Sequence, residues 1–243
     1  MRDWICGFFM AWGMFLAIPC PRKIWSESAR QKMLVCMPLA GLLAGGVWAG
    51  AWLLLRGAPG PVRAAVCAAV PWLVTGFMHL DGYMDVCDAV LSRRDLATRQ
   101  RILKDSHCGA FAVICMVLLA MGQWSLFLAA EDVSWLALLL IPAATRACAG
   151  LAVLGLRPMG TSQYAAMGPA RGGYGAALWV LLALSVGLPL WLDGSFGPLA
   201  AAVGYGLAVW YGFRNLDGMS GDISGFALTI GELCGCGAAI LWR

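Results

Sequence analysis

Long apolar runs restrict this chain more than any other feature. Seven runs have roughly the 17 to 25 residues needed to cross the hydrocarbon core of a bilayer as a helix. Hydrophobic residues make up 61% of the chain and charged residues 12%, whereas a soluble domain carries about a quarter charged residues. We therefore expect an all-α, polytopic membrane bundle of about seven (six to eight) transmembrane helices, forming one integral-membrane domain over residues 1–243. The predicted spans are Leu34 to Leu55, Ala64 to Leu80, Ala110 to Ala130, Trp135 to Leu156, Gly175 to Leu192, Leu199 to Phe213 and Gly225 to Trp242.

An eighth run, Trp4 to Ile18, is short for a span. It lacks the small-residue cleavage pattern of a signal peptide and ends in Pro-Cys-Pro-Arg-Lys. We expect it to be either a retained first span or a helix that lies in the membrane interface.

Three aspartates follow directly on the second of the predicted spans. Asp81, Asp85 and Asp88 are spaced i, i+4 and i+7, so in a helix their carboxylates share one face and repel one another. Such a face is often merely solvated. At a membrane boundary, however, ionisable groups are costly unless they have a function. A hard cation such as Mg²⁺ would remove the repulsion, and it commonly binds one or two carboxylates together with substrate phosphates.

The basic residues indicate how the chain is oriented. When the predicted spans alternate, 12 Lys and Arg residues lie on one side and 4 on the other, with Arg146 inside a span. By the positive-inside rule the richer side is cytoplasmic. Asp81, Asp105 and Asp222 all fall on that side, so motifs that are distant in sequence can share one cytoplasmic site.

Several motifs together resemble a known family. His79-Leu80-Asp81-Gly82 with Asp85 and Asp88, followed by Lys104-Asp105-Ser106 and Gly109-Ala110, is similar to the signature of the adenosylcobinamide-GDP ribazoletransferase (cobalamin synthase) family. Ile18-Pro19, Trp25-Ser26 and Pro38-Leu39-Ala40-Gly41 resemble its N-terminal segment, and Ser220-Gly221-Asp222 resembles its C-terminal Thr-Gly-Asp motif. The chain departs from the family pattern at Ala17, Ala89 and Ala112, none of which is a proposed ligand.

The resemblance implies a reaction and its partners. The ribose hydroxyl of α-ribazole, or of its 5′-phosphate, attacks the cobinamide-linked phosphate of adenosylcobinamide-GDP, and GMP leaves. Expected partners are these two substrates, the lipid bilayer of a bacterial inner membrane, other cobalamin-assembly enzymes and a second copy of the chain, but no nucleic acid. Whether the acceptor carries its phosphate, the number of metal ions and the oligomeric state all stay open at this point.

The same resemblance suggests roles for individual residues. Asp81, Asp85, Asp88 and Asp222 are expected to hold Mg²⁺ on the pyrophosphate. Either His79 or Asp105 is the general base. Lys104, with Arg93 or Arg94, would steady the departing GMP, and Ser106 belongs to the same substrate-binding motif.

Two charges lie deep in predicted spans. Arg146 and Glu232 either pair with each other or line a polar cavity below the acidic cluster, and we expect the second, with both residues contacting substrate.

Two other classes of protein compete with this interpretation. One is another Mg²⁺-dependent membrane transferase that uses pyrophosphate, such as a CDP-alcohol phosphotransferase or an aromatic prenyltransferase. The other is a transporter with Arg146 and Glu232 on its translocation path, although a transporter predicts charges spread through the membrane depth.

Overall fold

A computed structural model describes residues 2–160, 162, 164 and 173–242 of the chain. Its described part contains ten α-helices and a short 3-10 turn at Glu27–Ala29. The helices are α1 (Arg2–Phe15), α2 (Arg30–Leu54), α3 (Gly60–Val74), α4 (Met78–Leu91), α5 (Leu96–Ile102), α6 (Ala110–Ala129), α7 (Trp135–Gly155), α8 (Tyr174–Leu192), α9 (Gly197–Leu216) and α10 (Gly221–Leu241).

The prediction of an all-α, multi-pass membrane protein is confirmed. Among the described residues, five helices are long and apolar enough to cross a bilayer: α2, α6, α7, α8 and α10. The count rises to six, the lower end of the expected six to eight, if α3 and α4 form one broken span. The remaining predicted span, α9, has 20 residues but lies outside this set because it is less apolar. The eighth run, which was left open as a span or an interfacial helix, forms α1 and has only 14 residues.

Burial divides the spans into an inner and an outer group. In the most apolar stretch of α2, α7 and α10, 67%, 72% and 67% of the residues are buried, against 22% in α6 and α8. The inner helices therefore pack on one another, and the outer two present Leu, Val, Met and Trp side chains to lipid. Because lipid gives no hydrophobic drive for helices to associate, close packing between small residues takes that role.

The predicted continuous span Ala64 to Leu80 is wrong. Helix α3 ends at Val74, the chain bends by 91°, and α4 begins at Met78. Gly76 and Phe77 at the bend have φ angles of 59° and 63°, in the left-handed region that interrupts a right-handed helix. The bend points the start of α4, with His79 and Asp81, toward the cavity described below.

Two connections at the same end of the bundle are tied together. The Met159 amide donates to the Met219 carbonyl, and the Met219 amide donates to the Arg157 carbonyl, both at 2.9 Å. Arg157 also forms an ion pair with Asp217. These contacts hold the start of the α7–α8 connection against Ser220 and Asp222 at the start of α10.

Candidate active site

A cavity of about 460 Å³ opens where the predicted cytoplasmic motifs meet. Its lining comes from the end of α1, the start of α2, the start of α4, Leu103 and Lys104, the α7–α8 connection and the start of α10. Four residues from motifs that are distant in sequence all line this cavity: His79, Asp81, Lys104 and Asp222.

The acidic residues of α4 and α10 come together because the two helices cross at glycines. A Cβ atom on Gly82 would lie 2.8 Å from the Asp222 carbonyl oxygen and 3.0 Å from the Asp222 Cα. A Cβ on Gly225 would lie 3.0 Å from the His79 carbonyl oxygen. Only hydrogen in place of a side chain allows such an approach between helix backbones. The crossing places Asp81 beside Asp222 on one wall of the cavity.

The clustered carboxylates act electrostatically on one another. Asp85 is partly buried, and it experiences the negative charges of Asp81, Asp222 and Asp88. None of these four carboxylates forms an ion pair with a described residue. Asp88 is set apart, with its carboxylate against Gly109, and only Asp81 and Asp222 line the cavity.

The donor set suits a hard cation that is shared with substrate. In the described part of the chain, no three His, Cys, Asp or Glu side chains are gathered closely enough to enclose a metal by themselves. Mg²⁺ does not require such a cage, since it usually keeps several waters and binds one or two carboxylates plus substrate phosphates. Asp81 and Asp222, with Asp85 behind them, therefore fit Mg²⁺, while Asp88 fits it less well.

The two candidate bases lie in different surroundings. His79 is buried and lines the cavity. Its carbonyl oxygen accepts a hydrogen bond from Thr229 Oγ1 at 3.3 Å. Asp105 is exposed outside the cavity lining and accepts from the His107 ring at 2.7 Å and the His107 amide at 3.0 Å. These hydrogen bonds lower the pKa of Asp105.

The residues predicted to bind the departing GMP do not all lie at the cavity. Lys104 reaches the cavity, whereas Arg93, Arg94 and Ser106 are exposed and do not line it. Helix α5 lies between these groups and docks on the end of α9, where Arg99 Nη1 donates to Asn215 Oδ1 at 3.0 Å. The structure thus brings one of the predicted cations to the acidic residues.

Comparison with known proteins agrees with the resemblance of the motifs. A family model described as cobalamin-5-phosphate synthase matches residues 7–240. This chain belongs to that family.

Relatives of this synthase are similar over most of their length. The chain is 32% identical to the adenosylcobinamide-GDP ribazoletransferase of Clostridium botulinum (strain Alaska E43 / Type E3), covering 100% of both chains. It is 33% identical to that of Clostridium perfringens (strain 13 / Type A), over 93% of this chain and 94% of the relative. A third, from Halalkalibacterium halodurans, is 39% identical over 60% of this chain and 58% of its own. No solved structure matches.

Arg146 and Glu232 of this synthase pair with each other. Arg146 Nη1 donates to Glu232 Oε1 at 2.8 Å and to the Pro142 carbonyl at 3.1 Å. The two side chains are 1% and 8% exposed. Neither belongs to the cavity lining, so the geometry matches pairing between α7 and α10 rather than the predicted lining role. A charged pair at this depth holds two helices in register because separating the charges is costly.

Sequence reasoning missed several residues that line the cavity. Ser162 and Tyr164 lie in the α7–α8 connection, which gave no specific signal beyond its Gly, Pro, Ser and Thr content. Burial, together with the nearby negative charge of Asp222, raises the pKa of Tyr164 to about 12, so its phenol stays protonated and can donate a hydrogen bond. The methionines of α2 were also missed, because hydropathy does not distinguish a methionine that lines a cavity from any other apolar residue of a span.

Proposed function

We propose that this protein is an adenosylcobinamide-GDP ribazoletransferase, which joins adenosylcobinamide-GDP and α-ribazole, or its 5′-phosphate, into adenosylcobalamin, or its 5′-phosphate, with release of GMP. The observation that carries the proposal is the meeting of His79, Asp81, Lys104 and Asp222 at one cavity in a member of this family. The named activity of the relatives supplies the substrates.

The reaction exchanges a phosphoanhydride bond for a phosphoester bond. The ribose hydroxyl oxygen of the acceptor forms a bond to the phosphorus that carries cobinamide, and the bond from that phosphorus to the bridging oxygen of GMP breaks. The hydroxyl proton is taken up by a base, and the electron pair of the broken bond leaves with GMP. Such transfer requires in-line positioning and neutralisation of the charge on the phosphoryl oxygens.

Asp81 and Asp222, supported by Asp85, are the residues that would hold Mg²⁺ on the pyrophosphate. When bound, Mg²⁺ supplies charge neutralisation to the phosphoryl oxygens. Its loss would leave like charges facing one another across the α4–α10 crossing.

Lys104 and His79 complete the set on the polar side of the cavity. The Lys104 ammonium lies where it can bind the negative charge of the departing GMP. His79 is the better placed of the two candidate bases, since it lines the cavity and Asp105 does not. A buried imidazole can accept the ribose proton when the acceptor hydroxyl lies within hydrogen-bonding distance.

The enzyme is proposed to act at the cytoplasmic face of the bacterial inner membrane. The support is the alternation of the predicted spans, which puts 12 Lys and Arg residues on the side of Asp81, Lys104 and Asp222 and 4 on the other side. The transporter alternative has lost its main support, because Arg146 and Glu232 pair with each other.

Release of GMP by the purified protein tests the proposal. Protein in detergent micelles with Mg²⁺ and both substrates should release GMP and form a corrinoid product in equal amounts, as followed by chromatography. Chelation of the metal should stop both. Asp81→Asn and Asp222→Asn should each lower kcat on the order of 100-fold, because the charge that balances the cation is lost.

The matched control is Glu131→Gln, which removes a carboxylate of an exposed residue outside the cavity lining. It should leave kcat unchanged. Wild-type protein that forms no GMP under these conditions would refute the proposed activity.

A further inference from the structure

The cavity has two chemically different walls. Charged and hydroxyl-bearing groups come from α4, α10, Lys104 and the α7–α8 connection. A second group of lining side chains comes from α1, α2 and the first residue of α4, and it is apolar: Met14, Phe15, Met33, Leu34, Met37 and Met78. We call these six side chains the apolar wall. The phosphate chemistry proposed above uses only the polar wall.

We infer that the apolar wall binds the 5,6-dimethylbenzimidazole base of the α-ribazole acceptor, with Arg30 donating a hydrogen bond to the free ring nitrogen of that base. This inference rests on the proposed function and adds to it the residues that select the nucleoside.

The composition of the wall matches a flat apolar ring. Five of the 12 methionines in the chain line this cavity. Thioether sulfur makes favourable contacts with aromatic rings, and the unbranched side chain adapts to their shape. Met33 and Met37 are 2% and 4% exposed, so packing holds them in place, whereas Met14 and Met78 are 39% and 40% exposed.

Arg30, at the start of α2, supplies the hydrogen-bond donor that the base requires. Its Nη1 donates to Glu27 Oε2 at 3.2 Å. The side chain lines the cavity and is 22% exposed, so the guanidinium keeps further N–H donors that a bound molecule can reach. Dimethylbenzimidazole in a nucleoside has one ring-nitrogen acceptor and no donor, so it complements a single N–H in an apolar setting.

The other large groups of the substrates fit this wall poorly. Guanine presents N–H donors on its edge that require a carboxylate or carbonyl partner, and every acidic residue of the lining, Asp81 and Asp222, lies on the polar wall. The corrin ring carries amide side chains around its periphery, and these would lose their hydrogen bonds to water against methionines.

Measuring the KM of each substrate separately tests the inference. Met37→Ala should raise the KM for α-ribazole about tenfold, because methylene groups leave the hydrophobic subsite. The KM for adenosylcobinamide-GDP should stay within about twofold of wild type. Met14→Ala, at a residue 39% exposed, should raise the KM for α-ribazole about threefold. Because Met14 is less buried than Met37, this second variant serves if Met37→Ala fails to fold.

The matched control is Met121→Ala, on the lipid-facing side of α6 with a residue exposure of 60%. It should leave both constants unchanged. A rise confined to the KM for adenosylcobinamide-GDP, or an unchanged KM for α-ribazole in both wall variants, would overturn the inference.

A nucleoside analogue isolates the contact with Arg30. The ribonucleoside of dimethylindole replaces the ring-nitrogen acceptor with C–H, and wild-type enzyme should show a KM about tenfold higher for it than for α-ribazole. In Arg30→Met the two nucleosides should have equal KM values. A preference for α-ribazole that survives in Arg30→Met refutes the hydrogen bond. In each experiment, wild-type protein is first checked for GMP release. If it releases GMP, a contrary result in the variants contradicts this inference alone. If it does not, the proposed activity itself has failed.

Discussion

Replacing Gly82 with alanine tests whether the crossing of α4 and α10 builds the active site. The added Cβ would lie 2.8 Å from the Asp222 carbonyl oxygen, whereas ordinary contact begins at 3.4 Å. The opposing atoms are backbone, so no side-chain rotation can relieve the clash, and the helices must separate by about 0.6 Å. Overpacking of this kind costs about 1–3 kcal/mol.

The same displacement moves Asp81 away from Asp222. Because catalysis depends on the mutual placement of these carboxylates, and a misplacement of about 1 Å can cost 100-fold in rate, we expect Gly82→Ala to lower kcat by about 10- to 100-fold. The measurements are GMP release at saturating substrates and the midpoint of thermal unfolding in detergent.

Gly122→Ala is the matched control for this substitution. It makes the same chemical change within a helix, α6, where a new Cβ meets nothing within 4 Å. It should leave kcat unchanged and slightly raise the unfolding midpoint, because alanine favours helix. Wild-type kcat and stability in Gly82→Ala would show that the active site does not depend on the close approach of the two helices.

Three further predictions follow from the geometry. Arg146→Met should destabilise the protein by about 3–5 kcal/mol because Glu232 is left buried and unpaired, while Arg146→Met combined with Glu232→Leu should recover most of that loss in thermal unfolding. His79→Gln should lower kcat at least about 100-fold and remove the acidic limb of the pH–rate profile, whereas Asp105→Asn should change kcat by less than about threefold; the reverse pattern would assign the base to Asp105. Phe77→Gly, at a left-handed and half-exposed position, should stabilise the protein by about 1 kcal/mol in thermal unfolding, and a lower midpoint would contradict the strain argument.

Much of the fold was accessible from the sequence because membrane helices obey local rules. A run such as Trp135 to Leu156 must satisfy its own backbone hydrogen bonds in lipid, so length and hydropathy alone predict α7. The bend between α3 and α4 escaped the same reasoning, since an apolar run continues through Thr75 and Gly76 and hydropathy carries no information on φ.

For the candidate site, the sequence supplied the chemical groups and their helical spacing. It placed Asp81 and Asp85 on one helix and identified Asp222 as their distant companion. It predicted a substrate-binding role for Arg93, Arg94 and Ser106 as well as for Lys104, because the position of a residue in a loop does not show whether its side chain reaches a cavity.

The sequence by itself determined an all-helical membrane protein with acidic and basic motifs gathered at one face, because hydropathy, helical period and charge asymmetry are properties of neighbouring residues. Only the tertiary structure decided that Gly82 lets α10 approach α4, that Arg146 faces Glu232, and that methionines of α2 line the same cavity as the acids. These are contacts between residues far apart in the chain, and their geometry depends on how helix surfaces interlock.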